Sequence, residues 1–581
     1  MKNQMFAQRL SKIQWIGLAI VAIALPFELK DPIVSLGPIV ITDVEAILYA
    51  VIFLWLIGVL YTRRVKWTRM HSAVLAWLIV QILAALFAPL NRGAALKFTL
   101  RTAGGVALFF IAADGIRSTR RVAWIMSAVS IGAVVAGSAG LLEIESGTAQ
   151  TALLIFKTQP TLVGGLVRAS GTFQYANTAA MYWEAALPII ITLGVWWSLR
   201  FAQRCRLARS VALAGSFIVL EAIVLSASRA ALVGAALALT IMILSDRFSR
   251  TRSGLTRSSV IGLIGLIVLV GAEFFVNPIF GTRLRSESDD SWFRAEIQPA
   301  RSELSVPAGE VITETIVVTN TSVQTWSAGG TRPVNVSYHW IDPATQHVLI
   351  LDGARTTLSR DLAPGEALSI PALVHTPLLT GTYVLQWDLV QENVTWFSQR
   401  GNPIAAVNVH VVPAHKAVVD TQRPLAGSLS NTSSPSRSEL WRAGLAMWLS
   451  HPLLGIGPDN FRHEYGPYLG QTTFDEDITA NSWYVELLAN TGLIGFVAWL
   501  CVMVALAWIL QRQWPRLHGP GERVLTIGLS MALLAFFAHG TVDYFMEFTP
   551  TYGLFWLIAG TLVGLLTGTH DVEFASTIDR V

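Results

Sequence analysis

Charge is what this sequence has least of. Only 14% of its 581 residues are Asp, Glu, Lys or Arg, against about 25% in an ordinary soluble domain. Cysteine is nearly absent: the 2 present, Cys205 and Cys501, cannot build a disulfide framework or a thiolate zinc site. No Gly-rich turn ends in the Lys-Ser/Thr pair of a nucleotide P-loop, and Gly455-Ile456-Gly457 reads only as a tight turn. There is no dinucleotide fingerprint, zinc spacing or serine nucleophile elbow. These absences exclude a cytosolic enzyme, a disordered chain and a secreted module with a small anchor, and they call for neither a metal nor a cofactor.

What the chain has instead is apolar residues, 53% of the total, with a mean hydropathy of +0.52. They come in runs of the length that crosses a bilayer. Such runs stand near 13–28, 42–61, 71–89, 95–113, 121–143, 178–198, 208–226, 229–245, 258–276, 491–511, 522–540 and 550–567. The spacing predicts a mainly α, polytopic membrane protein of about twelve spans. The first run has no small-residue cleavage site and reads as a retained helix.

Short cytoplasmic loops carry the Lys/Arg excess, and here every second loop is basic. The clusters are Lys2, Arg9 and Lys12; Arg63, Arg64, Lys66 and Arg69; Arg117, Arg120 and Arg121; Arg200, Arg204, Arg206 and Arg209; Arg247, Arg250, Arg252 and Arg257; and Arg512, Arg516 and Arg523. This alternation accounts for the net charge of +4 without nucleic acid. It predicts cytoplasmic termini and puts 144–177, the Ser226–Arg229 hinge and all of 277–490 outside the cytoplasm.

The expected domains are a membrane part over 1–284, a β insert over 285–415, a linker with an outer loop over 416–490 and a second membrane part over 491–581. In the insert, Val311–Thr319 is β-branched and mostly alternating, and short runs follow at Val334–Ile341, Val348–Asp352, Tyr383–Leu389 and Ala406–Val412. Turn signals between them fit an all-β, immunoglobulin-like sandwich. Trp326, Trp340, Trp387 and Trp396 fit either a packed core or a sugar-stacking platform. Thr421–Ser438 is rich in Ser, Pro and Thr and reads as a linker; Leu440–Leu449 is a short apolar helix, too short to span.

Several segments then resemble one family. Arg437-Ser438-Glu439-Leu440-Trp441-Arg442 with His451-Pro452-Leu453-Leu454-Gly455-Ile456-Gly457-Pro458-Asp459-Asn460, and Asn481-Ser482-Trp483-Tyr484-Val485-Glu486 running to Gly495, resemble the signature region of the O-antigen ligase and polymerase family. Ser226-Ala227-Ser228-Arg229 and Gly171-Thr172-Phe173 with Asn177 look like its Ser/Thr-x-Ser-Arg and Gly-x-Phe…Asn segments. The resemblance implies transfer of a glycan from a polyprenyl-diphosphate lipid to an acceptor hydroxyl on a glycan, lipid or protein at the outer membrane face. It implies no metal and no cofactor, and membrane lipids as surroundings. The family pattern has a His-Asn pair where this chain has Ala480-Asn481.

The chemistry narrows the candidates. A departing diphosphate gathers negative charge, which arginine forks and helix N-termini stabilise. Arg229 opens the eighth span at the outer face; Arg437 and Arg442 flank Trp441 and point in opposed directions on a helix. These three are the leading catalytic candidates, against the plainer role of interfacial anchoring. Lys97 and Arg101 share one face of the fourth span's outer end and could complete a phosphate cradle or simply anchor the helix. Asn177, Asp459 and Asp543 join them as substrate-binding candidates.

For the base, His463 follows the Gly-rich turn, beside Glu464. Asp475–Asp477 precede Asn481, which keeps its family position; Glu486, Asp543 and Glu547 are further carboxylates, and His539 stands four before Asp543. No one of them stands out. Two other function classes compete. A transporter would place ionisable groups and helix breaks at the midplane, whereas these spans are almost wholly apolar at their centres. A non-catalytic glycan-binding scaffold would be consistent with Ala480 replacing the family histidine.

Overall fold

The computed structural model describes residues 2–36, 39–62, 67–163, 166–201, 205–248, 254–285, 289–330, 332–345, 348–392, 394–413, 435–470, 474–517 and 519–568. The expected linker lies outside the described residues up to 434, as do the loop cations Arg63, Arg64, Lys66, Arg204, Arg250 and Arg252.

Among the described residues, 11 helices are long and apolar enough to cross a membrane. They are α2 (Asp43–Thr62), α3 (Arg69–Leu86), α4 (Arg92–Gly115), α5 (Thr119–Glu145), α7 (Ala176–Arg200), α8 (Cys205–Leu225), α9 (Arg229–Phe248), α10 (Leu255–Val276), α14 (Trp483–Gln513), α15 (Pro520–His539) and α16 (Thr549–Gly568). The first expected span falls in α1 (Lys2–Ala24), whose apolar part, Lys12–Phe27 with the following 3-10 turn, is shorter than the rest. Four short helices, α6 (Gly147–Ala152), α11 (Pro278–Arg285), α12 (Arg437–Ser450) and α13 (Phe461–Tyr468), lie between spans.

Burial sorts these helices. The whole apolar window of α7 and 94% of that of α16 are enclosed by protein, against 22% for α10. Helices α7 and α16 are therefore the posts of the bundle, while α10 turns most of its surface outward. Without a hydrophobic drive between helices in lipid, close packing must hold them. Accordingly Gly560 of α16 sits directly over the Phe109 backbone of α4, and Gly564 over the carbonyls of Ala113 and Ile116.

The insert is a two-sheet sandwich. One sheet runs, edge to edge, Thr356–Thr357, Val334–Ile341, Gly381–Gln391, Ala405–Val412 and Glu303–Pro307, the last pair parallel. The other places Val311–Asn320 between Ala295–Pro299 and Ala367–His375. Apolar residues of both sheets meet in one core that buries Trp292, Trp326, Trp340, Trp387 and Phe397. Three of the four tryptophans singled out are thus core. Trp396 is half-buried, with His339 at 4.6 Å and the Arg355 guanidinium at 4.8 Å from its ring.

Helix α14 is interrupted. Gly492 breaks it at φ 62 and ψ −166, dividing a short leading helix from the span proper. The orphaned groups are taken up by the turn after α12: Leu493 N donates to Pro452 O and Ile494 N to Leu453 O, while Ile456 N and Gly457 N donate to the Ala489 and Asn490 carbonyls. A Cβ on Gly492 would lie 2.4 Å from the Leu453 carbonyl carbon, and one on Gly455 2.5 Å from the Ala489 oxygen. Only glycine permits this backbone-to-backbone seat.

Candidate active site

One end of the bundle holds the α3–α4 turn, the α5–α7 connection, the α8–α9 turn, the start of α14 and the α15–α16 loop. Contacts tie these together: Asn91 Nδ2 donates to Glu464 Oε1 at 2.8 Å, and Trp483 N donates to the Gly540 and Asp543 carbonyls. Among the described residues the non-glycine positions with positive φ are Asn91, Ala227, Asp459 and Asn481, all at this end. Strain of this sort costs about 1–3 kcal/mol per residue and gathers where geometry serves function.

At this end a pocket of about 350 Å³ is lined by Asn177, Ser228, Arg229, Gly234, Arg283, Arg437, His539, Thr541 and Asp543, among others. The volume lies within the range of small-molecule sites. Each arginine comes from a different helix. Arg229 is the first residue of α9, held there by the α8–α9 turn, in which Ala227 is left-handed and Ser226 Oγ accepts from Ser228 N. Arg437 is the first residue of α12; Ser436 Oγ accepts from Glu439 N while Glu439 Oε2 accepts from Ser436 N. This capping box fixes where the helix starts, and the Ser436 hydrogen bonds hold the Glu439 carboxyl below its usual range. Arg283 lies on α11.

The Gly171-Thr172-Phe173 segment is anchored from beneath. Gly171 N and Ser170 N donate to Glu143 Oε2, and Lys157 Nζ pairs with Glu143 Oε1 at 2.5 Å, both side chains fully buried. From there Arg168 donates through Nε to Ser226 O and through Nη2 to Asn177 Oδ1, and Asn177 Nδ2 donates to Asp543 Oδ2 at 2.9 Å. The chain Arg168–Asn177–Asp543 thus joins the α5–α7 connection, the α8–α9 turn and the α15–α16 loop around the pocket. Behind it, His539 Nδ1 lies 2.7 Å from Glu184 Oε2, with both side chains buried.

A second, smaller cavity of about 50 Å³ lies on the other side of the α15–α16 loop, lined by Arg101, Asp459, Glu486, Asn490, Tyr544 and several tryptophans. Arg101 pairs with Glu45 at 3.2 Å and donates to the Glu547 carbonyl and the Thr549 hydroxyl. Asp459 pairs with Arg462 at 2.8 Å. Glu486 Oε2 accepts from Ala480 N, and Oε1 from Asn490 Nδ2. Burial, with Asp459 and Glu486 close by, pushes the Glu547 carboxyl up to about 8, against the pull of Arg462 and Arg101.

The sequence candidates therefore separate into three sets. Arg229, Arg437, Asn177 and Asp543 line one pocket. Arg101 and Asp459 line the second cavity, where both are ion-paired, and Arg101 ties α4 to α2 and α16. Lys97, Arg442, His463 and Asn481 line neither. Lys97 and Arg442 are exposed, and His463 is paired with Glu476 at 2.8 Å near the surface. Arg168, Arg283 and Glu184 went unnoticed in the sequence; for Glu184 the signal was a carboxylate inside the apolar run 178–198. Among the described residues no group of three His, Cys, Asp or Glu could hold a metal ion.

Residues 389–500 match the family model described as O-Antigen ligase. The match begins inside the sandwich, in strand Gly381–Gln391, and runs through α12 and α13 into α14; the segments around Gly171 and Ser226 lie outside it. No curated protein matches the chain.

Proposed function

We propose that this chain, with its O-antigen ligase segment, is a membrane enzyme that transfers a glycan from a polyprenyl-diphosphate donor to an acceptor hydroxyl. The reaction takes place at the outer face of the membrane, with both termini in the cytoplasm. The observation that carries this reading is the convergence of Arg229, Arg283 and Arg437, from three separate helices, on one pocket at the end of the bundle away from the basic loops. The donor's polyprenyl tail lies in the bilayer beside the bundle and its diphosphate enters the pocket. As the bond between the anomeric carbon and the diphosphate oxygen breaks, the leaving oxygens gain charge, which guanidinium forks and the N-terminus of α9 stabilise. Each such contact supplies about 1.5–3 kcal/mol. Asn177 and Asp543, locked by Arg168, have the hydrogen-bonding capacity to orient the sugar or the acceptor. The break in α14 does not favour a transporter: its backbone groups are satisfied by the 452–457 turn, which makes it a seat for a loop.

The test is release of polyprenyl diphosphate from a synthetic polyprenyl-diphosphate-linked oligosaccharide by the purified protein in nanodiscs. Release is expected with wild type and slows by roughly 10- to 100-fold in Arg229→Ala, with an unchanged thermal unfolding midpoint. Movement of the lipid across vesicles without bond cleavage would replace the transferase reading with a transporter.

A further inference from the structure

We infer that His539, oriented by Glu184, accepts the proton of the attacking hydroxyl; the inference rests on the glycan-transfer reading above. His539 ends α15, is 2% exposed and lines the arginine pocket. Its Nδ1 faces the Glu184 carboxylate at 2.7 Å. In the neutral ring Nδ1–H donates to that carboxylate, which leaves Nε2 with its lone pair available. Nε2 is buried and, among the described residues, has no hydrogen-bond partner. Asp543 Oδ2 stands 4.0 Å from it, beyond hydrogen-bond reach, and Asp543 is engaged elsewhere: Oδ2 accepts from Asn177 and Oδ1 from Tyr544 N. The ring of Phe545 packs edge-on against the imidazole at 5.3 Å.

The arrangement has the logic of a nucleophile–base–carboxylate relay. Glu184 reaches it from α7, and Gly234 of α9 makes the space: a Cβ there would lie 1.7 Å from Glu184 Oε1. The charged groups facing the histidine are Glu184 from α7, Asp543 from the α15–α16 loop, and Arg229, Arg283 and Arg437 from α9, α11 and α12. The position that holds histidine in the family pattern is here the buried Ala480, and His463 lines neither cavity. In the step, the acceptor oxygen bonds to the anomeric carbon and the carbon–diphosphate bond breaks. The diphosphate leaves with the electron pair toward the arginines, and the hydroxyl proton passes to Nε2. The imidazolium is held by Glu184 until the proton goes to water or to the departing diphosphate. His539 is then the catalytic residue and Glu184 a positioning residue.

The experiment compares wild type with His539→Gln, Glu184→Gln, Glu184→Asp and Arg229→Ala in nanodiscs. The donor is a synthetic polyprenyl-diphosphate-linked disaccharide, and the same disaccharide on a soluble aglycone is the acceptor. Binding of polyprenyl diphosphate itself is measured separately. His539→Gln is expected to slow release by about 10²- to 10⁴-fold while Kd for polyprenyl diphosphate stays unchanged. Glu184→Gln moves the acid limb of the pH–rate profile to lower pH, and Glu184→Asp restores part of the rate. That limb carries the test should His539→Gln fold poorly. Wild-type turnover in His539→Gln, an unmoved acid limb in Glu184→Gln, or loss of polyprenyl diphosphate binding in step with rate in His539→Gln overturns the assignment of the base. If Arg229→Ala still loses binding in that case, the transferase reading survives. A wild type that neither binds polyprenyl diphosphate nor releases it removes both.

Discussion

Replacing Gly492 by alanine should undock the turn that follows α12. The backbone at φ 62 and ψ −166 lies in a region essentially restricted to glycine, so any other residue there costs about 1–3 kcal/mol. The new Cβ would also press on the Leu453 carbonyl and on Gly455 N, at 2.4–2.7 Å. Both are backbone atoms that cannot rotate away, so the 452–457 turn must move. Four hydrogen bonds cross this seam, and losing two costs about 1 kcal/mol each. The total is about 3–5 kcal/mol of docking energy. Hydrogen exchange read by mass spectrometry on peptides covering 452–460 and 488–496 should then speed up by roughly 10²- to 10⁴-fold. Gly93→Ala, where a Cβ meets nothing within 4 Å, is the control, neutral or slightly stabilising in its helix. Protection unchanged in Gly492→Ala would show that the seam is not held by backbone contact.

Three more outcomes are expected. With burial as the main cause, Glu547 has a folded value of about 8, above its unfolded value. The folded protein therefore holds a proton that the unfolded chain gives up, and stability contributed below pH 4.5 falls as pH rises toward 8; Glu547→Gln should flatten that part of the unfolding-midpoint profile. Asn177→Ala removes the amide between Arg168 and Asp543, which should cost about 1–3 kcal/mol in denaturant unfolding and lower turnover. In a background with Cys205→Ser and Cys501→Ala, Thr345→Cys should react with an impermeant maleimide in intact cells, and Arg516→Cys only after permeabilisation; the reverse would invert the proposed topology.

What could be read in the sequence was whatever depends on local pattern. Apolar length located the spans, and β-branched runs such as Val334–Ile341 coincide with a strand of the insert. Loop charge leaves few cations at one end, and two of them, Arg229 and Arg437, share a pocket. What the sequence left open depends on long-range packing. Helical spacing put Lys97 and Arg101 on one face, and it is Arg101 that meets Glu45 of α2 and the loop before α16. The opposed directions of Arg437 and Arg442 were foreseeable, whereas which of them faces the pocket follows from how α12 docks. Gly492 sits in an apolar run, and its break is visible only once the 452–457 turn lies against it. Arg283, in a polar stretch after α10, carried no distinguishing signal. Glu184 did, as an unpaired carboxylate in an apolar run, but its partner His539 lies 355 residues away.

If arginines from α9 and α12 receive a diphosphate, the affinity of polyprenyl diphosphate for the protein in nanodiscs depends on them. Losing one charge-assisted contact of about 1.5–3 kcal/mol predicts that Arg229→Ala and Arg437→Ala each raise Kd by roughly 10- to 100-fold, while Arg516→Ala at the opposite end leaves it unchanged. Equal affinity in all four proteins, wild type included, would show that these arginines do not receive the diphosphate.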